Sequence, residues 1–149
     1  MQVSETDFPE ESTFQHQLMA GIAAVTEPTC SICPELSKTF PSSGQQSSRR
    51  IKGEVDFYLD GGLQWGIELL VNGKGITKHM DRFTPGGKCY ELKASDYAVF
   101  DFRCNKSGKV TNVQRKDKRV SVFFRQGDYS SCKCIFGFNK EVVKIRLEN

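Results

Sequence analysis

The sequence lacks the features that mark secreted, membrane-spanning and fibrous proteins. No apolar run approaches the roughly 18 residues of a membrane-spanning helix. The first twenty residues hold four acids and no lysine or arginine, whereas a secretory signal peptide begins with basic residues. No internal repeat is visible, which excludes a collagen-like fibre. We therefore expect a soluble, unprocessed protein with no signal peptide and no membrane contact, and its compartment stays undefined.

The composition is that of one domain with a hydrophobic core. The 149 residues are 38% hydrophobic, 26% charged and 11% aromatic. We assign 1–149 to a single domain. Residues 41–48 are Pro, Ser, Gly and Gln without periodicity, so 41–50 is predicted as a flexible connection. Residues 126–149 are predicted as a C-terminal extension.

Charge is unevenly distributed along the chain. Residues 1–37 contain six acids and no base, so 38–149 carry 21 bases against 12 acids, a net charge of +9. An anionic partner is expected on this basic part, and its densest stretch is 103–119. That stretch is either a solvated loop or a source of phosphate contacts to nucleic acid. The candidate phosphate-binding residues are Arg103, Lys106, Lys109, Arg115, Lys116, Lys118 and Arg119.

Six cysteines are too few for a protein built on disulfides, and we expect reduced thiols. The pairs Cys30/Cys33 and Cys132/Cys134 contain the four thiolates that a zinc site needs. However, the second pair has only one intervening residue, and about 100 residues separate the pairs, unlike common zinc motifs. Buried thiols are the favoured interpretation.

Apolar periodicity predicts a mixed α/β or α+β fold. From Asp7 to about Val25, Phe14, Leu18 and Ile22 recur at helical spacing, with Asp7 as the cap. The other predicted elements are a short helix over 77–83, strands over 97–102 and 120–124, and a strand plus a terminal element within 134–147.

The segment 53–73 contains two alternating runs around Asp60-Gly61-Gly62, which predicts a β-hairpin. With Gly62 at its centre, Asp56 faces Glu68 on one side of the hairpin, and the opposite side is a core face. The core-face residues are Val55, Phe57, Leu59, Trp65, Ile67 and Leu69.

Two facing carboxylates need a proton or a cation between them. Asp56 and Glu68 are therefore candidate ligands for Mg²⁺ or Mn²⁺, which bind carboxylate oxygen and activate water against phosphodiesters. The alternatives are a solvated pair at a sheet edge, or ion pairs with Arg49, Arg50 or Lys52.

A series of short strings in this order resembles the PD-(D/E)XK nuclease-like domain of Crinkler and RHS-type effectors. The resemblance extends over about 10–125, and 54–90 is its specific part. The strings are DFYL, WGIELL, His79-Met-Asp-Arg82-Phe83, Gly86-Gly87-Lys88-Cys89-Tyr90 and Asp101-Phe102-Arg103.

The resemblance implies a restriction-endonuclease-like core of a helix, three antiparallel strands, a helix and a strand. It implies that Asp56 and Glu68 hold the metal and that an acid of the first helix, best matched by Glu11, assists them. An ordinary first-turn acid is the alternative for Glu11. The resemblance also implies a nuclear or host-cell location and an NTPase-like domain, of which this chain has no P-loop string.

The chain departs from the family pattern at Leu70, where the family has a lysine two residues after the glutamate. The resemblance moves the basic role to the following helix, where the candidates are Lys78, His79 and Arg82. His79 would act as a proton shuttle, or else it is structural.

The leading hypothesis is an Mg²⁺-dependent DNA endonuclease of an effector or toxin. The second is a catalytically inactive nuclease fold that binds nucleic acid or a host protein. The third is an accessory domain of a larger protein.

Overall fold

The protein is described from a computed structural model, in which residues 8–41, 50–106, 118–139 and 141–146 are described. The helices are α1 (Glu11–Val25) and α2 (Ile76–Asp81), and a short 3₁₀ turn covers Tyr90–Leu92. The strands are β1 (Ile32–Pro41), β2 (Arg50–Leu59), β3 (Trp65–Val71), β4 (Asp96–Asn105), β5 (Arg119–Arg125), β6 (Asp128–Phe136) and β7 (Val142–Arg146).

All seven strands form one mixed sheet, in which spatial order follows sequence order. The β3–β4 and β4–β5 pairs are parallel, and the other neighbours are antiparallel. Helix α2 lies in the crossover from β3 to β4, because parallel strands need a long connection. The mixed α and β composition expected from the sequence is confirmed.

The two faces of the sheet have separate cores. On one face, Phe14 of α1 stacks on Phe102 with ring centroids 4.3 Å apart, within the larger apolar cluster. On the other face, Met80 of α2 packs against Leu70 and Val99. The sheet is therefore covered by one helix on each side, which places α2 over the middle of β3.

Helix α1 is shorter than predicted. It begins at Glu11, and its N-cap is Glu10, which makes no side-chain capping hydrogen bond. The predicted cap, Asp7, lies outside the described residues. Phe14 is buried, but Val25 is 84% exposed, so the apolar periodicity continues past the last contact with the sheet. Neither helix of the described ranges is long and apolar enough to cross a membrane.

The predicted hairpin register is confirmed at its turn end. Phe57 pairs with Ile67, Tyr58 with Gly66, and Leu59 with Trp65. Two residues predicted on the core face, Val55 and Trp65, lie elsewhere.

Val55 packs with Tyr58 rather than with the cluster of Phe57, and Trp65 is 42% exposed. Alternation breaks between Phe57 and Val55, where pairing with β3 has ended and where Glu35 of β1, with a positive φ of 49°, interrupts the pairing with β1. Trp65 is exposed because it stands at the first position of its strand.

The C-terminal region predicted as an extension continues the sheet. Strand β6 pairs with β5 and with β7, and its Cys132 and Cys134 belong to the larger cluster. The predicted connection at 41–50 falls mostly on 42–49, which lie outside the described residues. Its two ends, Pro41 and Arg50, pair with each other.

Candidate functional site

Asp56 lies at the point where β2 and β3 stop pairing. The last paired residues are Phe57 and Ile67. One position further, Asp56 Oδ2 accepts a hydrogen bond of 2.7 Å from the main-chain N–H of Leu69. The carboxylate thus takes the place of a main-chain acceptor and is held beside β3, next to Glu68.

The ionisation of Asp56 is perturbed by its surroundings. Burial raises the pKa of Asp56 to about 6, although the hydrogen bond from Leu69 works in the opposite direction. The negative charges of Glu68 and Glu11 raise this pKa further. The three predicted acids are therefore close enough to interact, and a carboxylic acid that titrates near neutrality is typical of a functional site.

Glu68 is completely buried and meets two side chains at the C-terminal end of α2, His79 and the C-cap residue Arg82. Arg82 Nη1 donates to Glu68 Oε2 at 2.6 Å, and His79 Nδ1 is hydrogen-bonded to the same oxygen at 2.6 Å. Its other oxygen, Oε1, is buried and has no hydrogen-bond partner among the described residues. A buried carboxylate oxygen without a donor is costly, so Oε1 is the atom at which a further cation or proton would be stabilised.

Helix α2 positions these two side chains. Gly75, at φ 72°, turns the chain into the helix, and buried Met80 fixes the helix on the sheet. His79 and Arg82 are three residues apart and so share one side of the helical turn. Lys78, by contrast, is exposed.

Arg82 is ionised in this setting. Burial acts to lower the pKa of its guanidinium, but the hydrogen bond and the charge of Glu68 outweigh burial and raise this pKa. Leu70, where the resemblance implies a lysine, is 2% exposed and packs against Met80. The base that meets Glu68 therefore comes from the C-cap of α2 and not from β3.

A second buried acid lies on β4. Asp101 accepts hydrogen bonds from Gly73 N–H at 2.7 Å and from Arg103 Nε at 2.6 Å, and Arg119 donates to its Oδ2. The sequence offered one signal for this ion pair, which is that Asp101 and Arg103 alternate on one side of a predicted strand. The cluster ties the loop that precedes α2 to the sheet.

The candidate phosphate-binding bases within the described residues differ in exposure. Arg119 is 4% exposed, so it is a core residue rather than the surface residue expected, because Asp101 needs a buried counter-charge. Lys118 pairs with Asp96 at 2.6 Å, and Lys106 is exposed. The three others, Lys109, Arg115 and Lys116, lie outside the described residues.

The donor set suits a hard cation better than zinc. In the described ranges, no three His, Cys, Asp or Glu side chains form a metal-binding group. The sulfurs of Cys132 and Cys134 are 3.9 Å apart. Cys33, however, belongs to a different apolar cluster from these two cysteines, so the zinc alternative loses its support. Asp56 and Glu68 together offer two carboxylates, and Mg²⁺ is commonly bound by one or two carboxylates with several waters.

Comparison of the chain with protein-family models and with curated proteins gave no match. The interpretation of the site therefore rests on its residues and their geometry.

Proposed function

We propose that the protein is an Mg²⁺-dependent nuclease that hydrolyses phosphodiester bonds in DNA, in an effector or toxin. The observation that carries the proposal is the buried Glu68, whose Oε1 has no hydrogen-bond partner among the residues that the structure describes and which interacts with the perturbed carboxylate of Asp56. Two acids in this state fit a hard divalent cation between them.

The arrangement of the core supports the proposal. The chain runs α1, β1, β2, β3, α2 and β4, with β1 to β3 antiparallel and β4 parallel to β3. This is the order that the nuclease resemblance implies, and Asp56 and Glu68 stand on its second and third strands. Helix α1 brings the charge of Glu11 to the same place.

The residues of the chain have distinct roles in this proposal. Asp56 and Glu68 would hold the metal, which supplies Lewis-acid activation of water and of the phosphodiester when it is bound. Arg82 and His79 fix the orientation of Glu68 through their hydrogen bonds to Oε2. With Nδ1 of His79 directed at Glu68, Nε2 is the ring nitrogen left for the proposed proton-shuttle role. Lys78 is exposed and would be the residue that meets a phosphate.

The test is plasmid nicking by the wild-type chain and by Asp56→Asn, with Mg²⁺ and with EDTA. We expect nicking that requires Mg²⁺ and falls at least about 100-fold in Asp56→Asn, as when a group that stabilises the transition state is removed. Asp60→Asn is the matched control, because Asp60 is exposed in the hairpin turn. Equal nicking by the wild type and by Asp56→Asn contradicts the proposal.

A catalytically inactive fold that binds nucleic acid is the second candidate. It is favoured by Leu70, which leaves β3 without a base, and by the complete burial of Glu68 under Arg82. Calorimetric titration with MgCl₂ separates the two candidates. Absence of Mg²⁺ binding, together with salt-dependent DNA binding and no nicking, selects the inactive fold.

A further inference from the structure

Two adjoining cavities lie at the end of the sheet where β4 and β5 begin. Their volumes are about 580 and 480 Å³. They share Asp96, Tyr97 and Lys118 as lining residues, so together they form one groove, which we call the strand-start groove. Neither cavity is lined by Asp56 or Glu68.

The strand-start groove collects exposed aromatic side chains. Among the residues whose burial the structure describes, three aromatic residues are exposed, namely Trp65 at 42%, Tyr90 at 48% and Phe138 at 67%. Tyr90 lines the larger cavity, and Trp65 and Phe138 line the smaller one. These residues are far apart in sequence, so no stacking motif is visible before folding.

The wall between the rings is rigid. Phe83 stacks on Tyr97 with ring centroids 4.5 Å apart and planes at 11°. The ring of Phe83 lies where a Cβ at Gly66 would be, so it is seated directly on the backbone of β3. A fixed aromatic wall beside exposed rings lowers the entropy cost of binding a flat ligand.

The charged residues that line the groove are two lysines and one aspartate. Lys118 is bound to Asp96, which leaves the net positive charge with Lys93. Lys93 is exposed and follows the 3₁₀ turn with a positive φ of 49°. Aromatic faces alternating with lysines are the arrangement that binds unpaired bases and their phosphates.

We propose that the strand-start groove binds single-stranded nucleic acid, with bases stacked on Trp65, Tyr90 and Phe138 and a phosphate at Lys93. Base faces are covered in a duplex, so exposed rings select unpaired strands. Trp65 precedes Glu68 by three residues on β3, which is about 10 Å along a strand. The inference that unpaired strands are the substrate rests on the proposed nuclease function. Binding of such strands to the groove can be measured whether or not the protein is a nuclease.

Trp65 is the only tryptophan in the chain, so its fluorescence reports stacking directly. The wild-type chain is titrated in EDTA with a 12-nucleotide oligothymidylate, an abasic oligomer of the same length, and a 12-base-pair duplex. We expect saturable quenching by the thymidine oligomer only. Because one stacked base contributes about 1–3 kcal/mol, Tyr90→Ala and Phe138→Ala should each weaken binding about 5- to 150-fold. Val142→Ala is the control, since Val142 is exposed outside the groove.

Equal binding of the abasic oligomer, equal quenching by the duplex, or unchanged affinity of Tyr90→Ala and Phe138→Ala would each overturn the groove proposal. The replaced rings are exposed, so their removal leaves the core intact. Nicking and quenching fail separately. Quenching without Mg²⁺-dependent cleavage of either the plasmid or the thymidine oligomer refutes only the nuclease, and such cleavage without quenching refutes only the groove.

Discussion

The carboxylate of Asp56 and the main-chain N–H of Leu69 are joined by a hydrogen bond of 2.7 Å across two strands that have ceased to pair. The bond holds the acid at one orientation beside Glu68. It also acts to lower the pKa of Asp56, but burial is the stronger effect, and the pKa is about 6. Asp56 therefore changes charge within the range of ordinary buffers.

Asp56 should make the fold less stable as the pH rises from about 4 to about 6. The ordinary pKa of 3.8 applies in the unfolded chain, so in this window the unfolded state has lost a proton that the native state keeps. Above pH 6, Asp56 is ionised in both the native and the unfolded state, and the loss of stability no longer grows. Thermal unfolding in EDTA should give a Tm difference, Asp56→Asn minus wild type, that grows from pH 4 to about 6.5 and then levels off.

The matched control for that experiment is Asp60→Asn, which removes an exposed carboxylate from the turn of the same hairpin. A Tm difference for Asp56→Asn that does not change with pH would show that Asp56 titrates at its ordinary pKa.

Binding of Mg²⁺ should depend on the same proton. Mg²⁺ binds the ionised carboxylate, so below the Asp56 pKa of about 6 its affinity should fall about tenfold per pH unit. Above pH 7 the affinity should be nearly constant. Calorimetric titration with MgCl₂ at pH 5, 6, 7 and 8 measures this profile. An affinity that is the same at pH 5 and pH 8 would exclude Asp56 as a ligand.

Much of the fold was predictable from local patterns. The β2–β3 hairpin was predicted with its register, because alternating residues around Asp60-Gly61-Gly62 fix both the turn and the pairing. Strand β1 was not predicted from the residues, because Cys33-Pro34-Glu35 interrupts it and Glu35 has a positive φ. Its pairing with β2 is a tertiary effect that no local pattern shows.

The candidate site was predictable in part. The hairpin pattern predicted Asp56 directly opposite Glu68, whereas pairing ends one position earlier, at Phe57 and Ile67, and Asp56 is bonded to Leu69 instead. His79 and Arg82 were candidates through the resemblance. The burial of Arg119 was not predictable, because a basic run gives no sign that one member faces a buried Asp101. The strand-start groove was missed for a related reason, since Trp65, Tyr90 and Phe138 meet only in the folded chain.

Arg82 should be needed for stability as well as for the site. Glu68 is 0% exposed, and its Oε2 contacts the permanent positive charge of Arg82, which Arg82→Ala removes. Loss of one partner of a buried ion pair costs about 3–5 kcal/mol. Urea unfolding at pH 8 should therefore show a decrease of this size in the free energy of unfolding.

A double-mutant cycle separates the charge of Glu68 from its packing. In a Glu68→Gln background, Arg82→Ala should cost about 1–3 kcal/mol less, because a neutral amide needs no counter-charge. Lys78→Ala is the matched control on the same helix and should change the free energy of unfolding by less than about 0.5 kcal/mol. Additive costs of Arg82→Ala and Glu68→Gln would mean that the two side chains do not interact.

Gly66 should be irreplaceable although it lies within a strand, where glycine is usually unfavourable. A Cβ at this position would overlap the ring of Phe83, which is stacked on Tyr97. Gly66→Ala must therefore displace Phe83, the residue that follows Arg82, and we expect a loss of about 1–3 kcal/mol in the free energy of unfolding.

Gly21→Ala is the opposite case, because Gly21 lies in α1 with open space around its Cβ position. This substitution should stabilise the protein by about 0.5–1 kcal/mol. Urea unfolding of both variants measures the two signs, and a Gly66→Ala variant as stable as the wild type would show that Phe83 is not seated on β3.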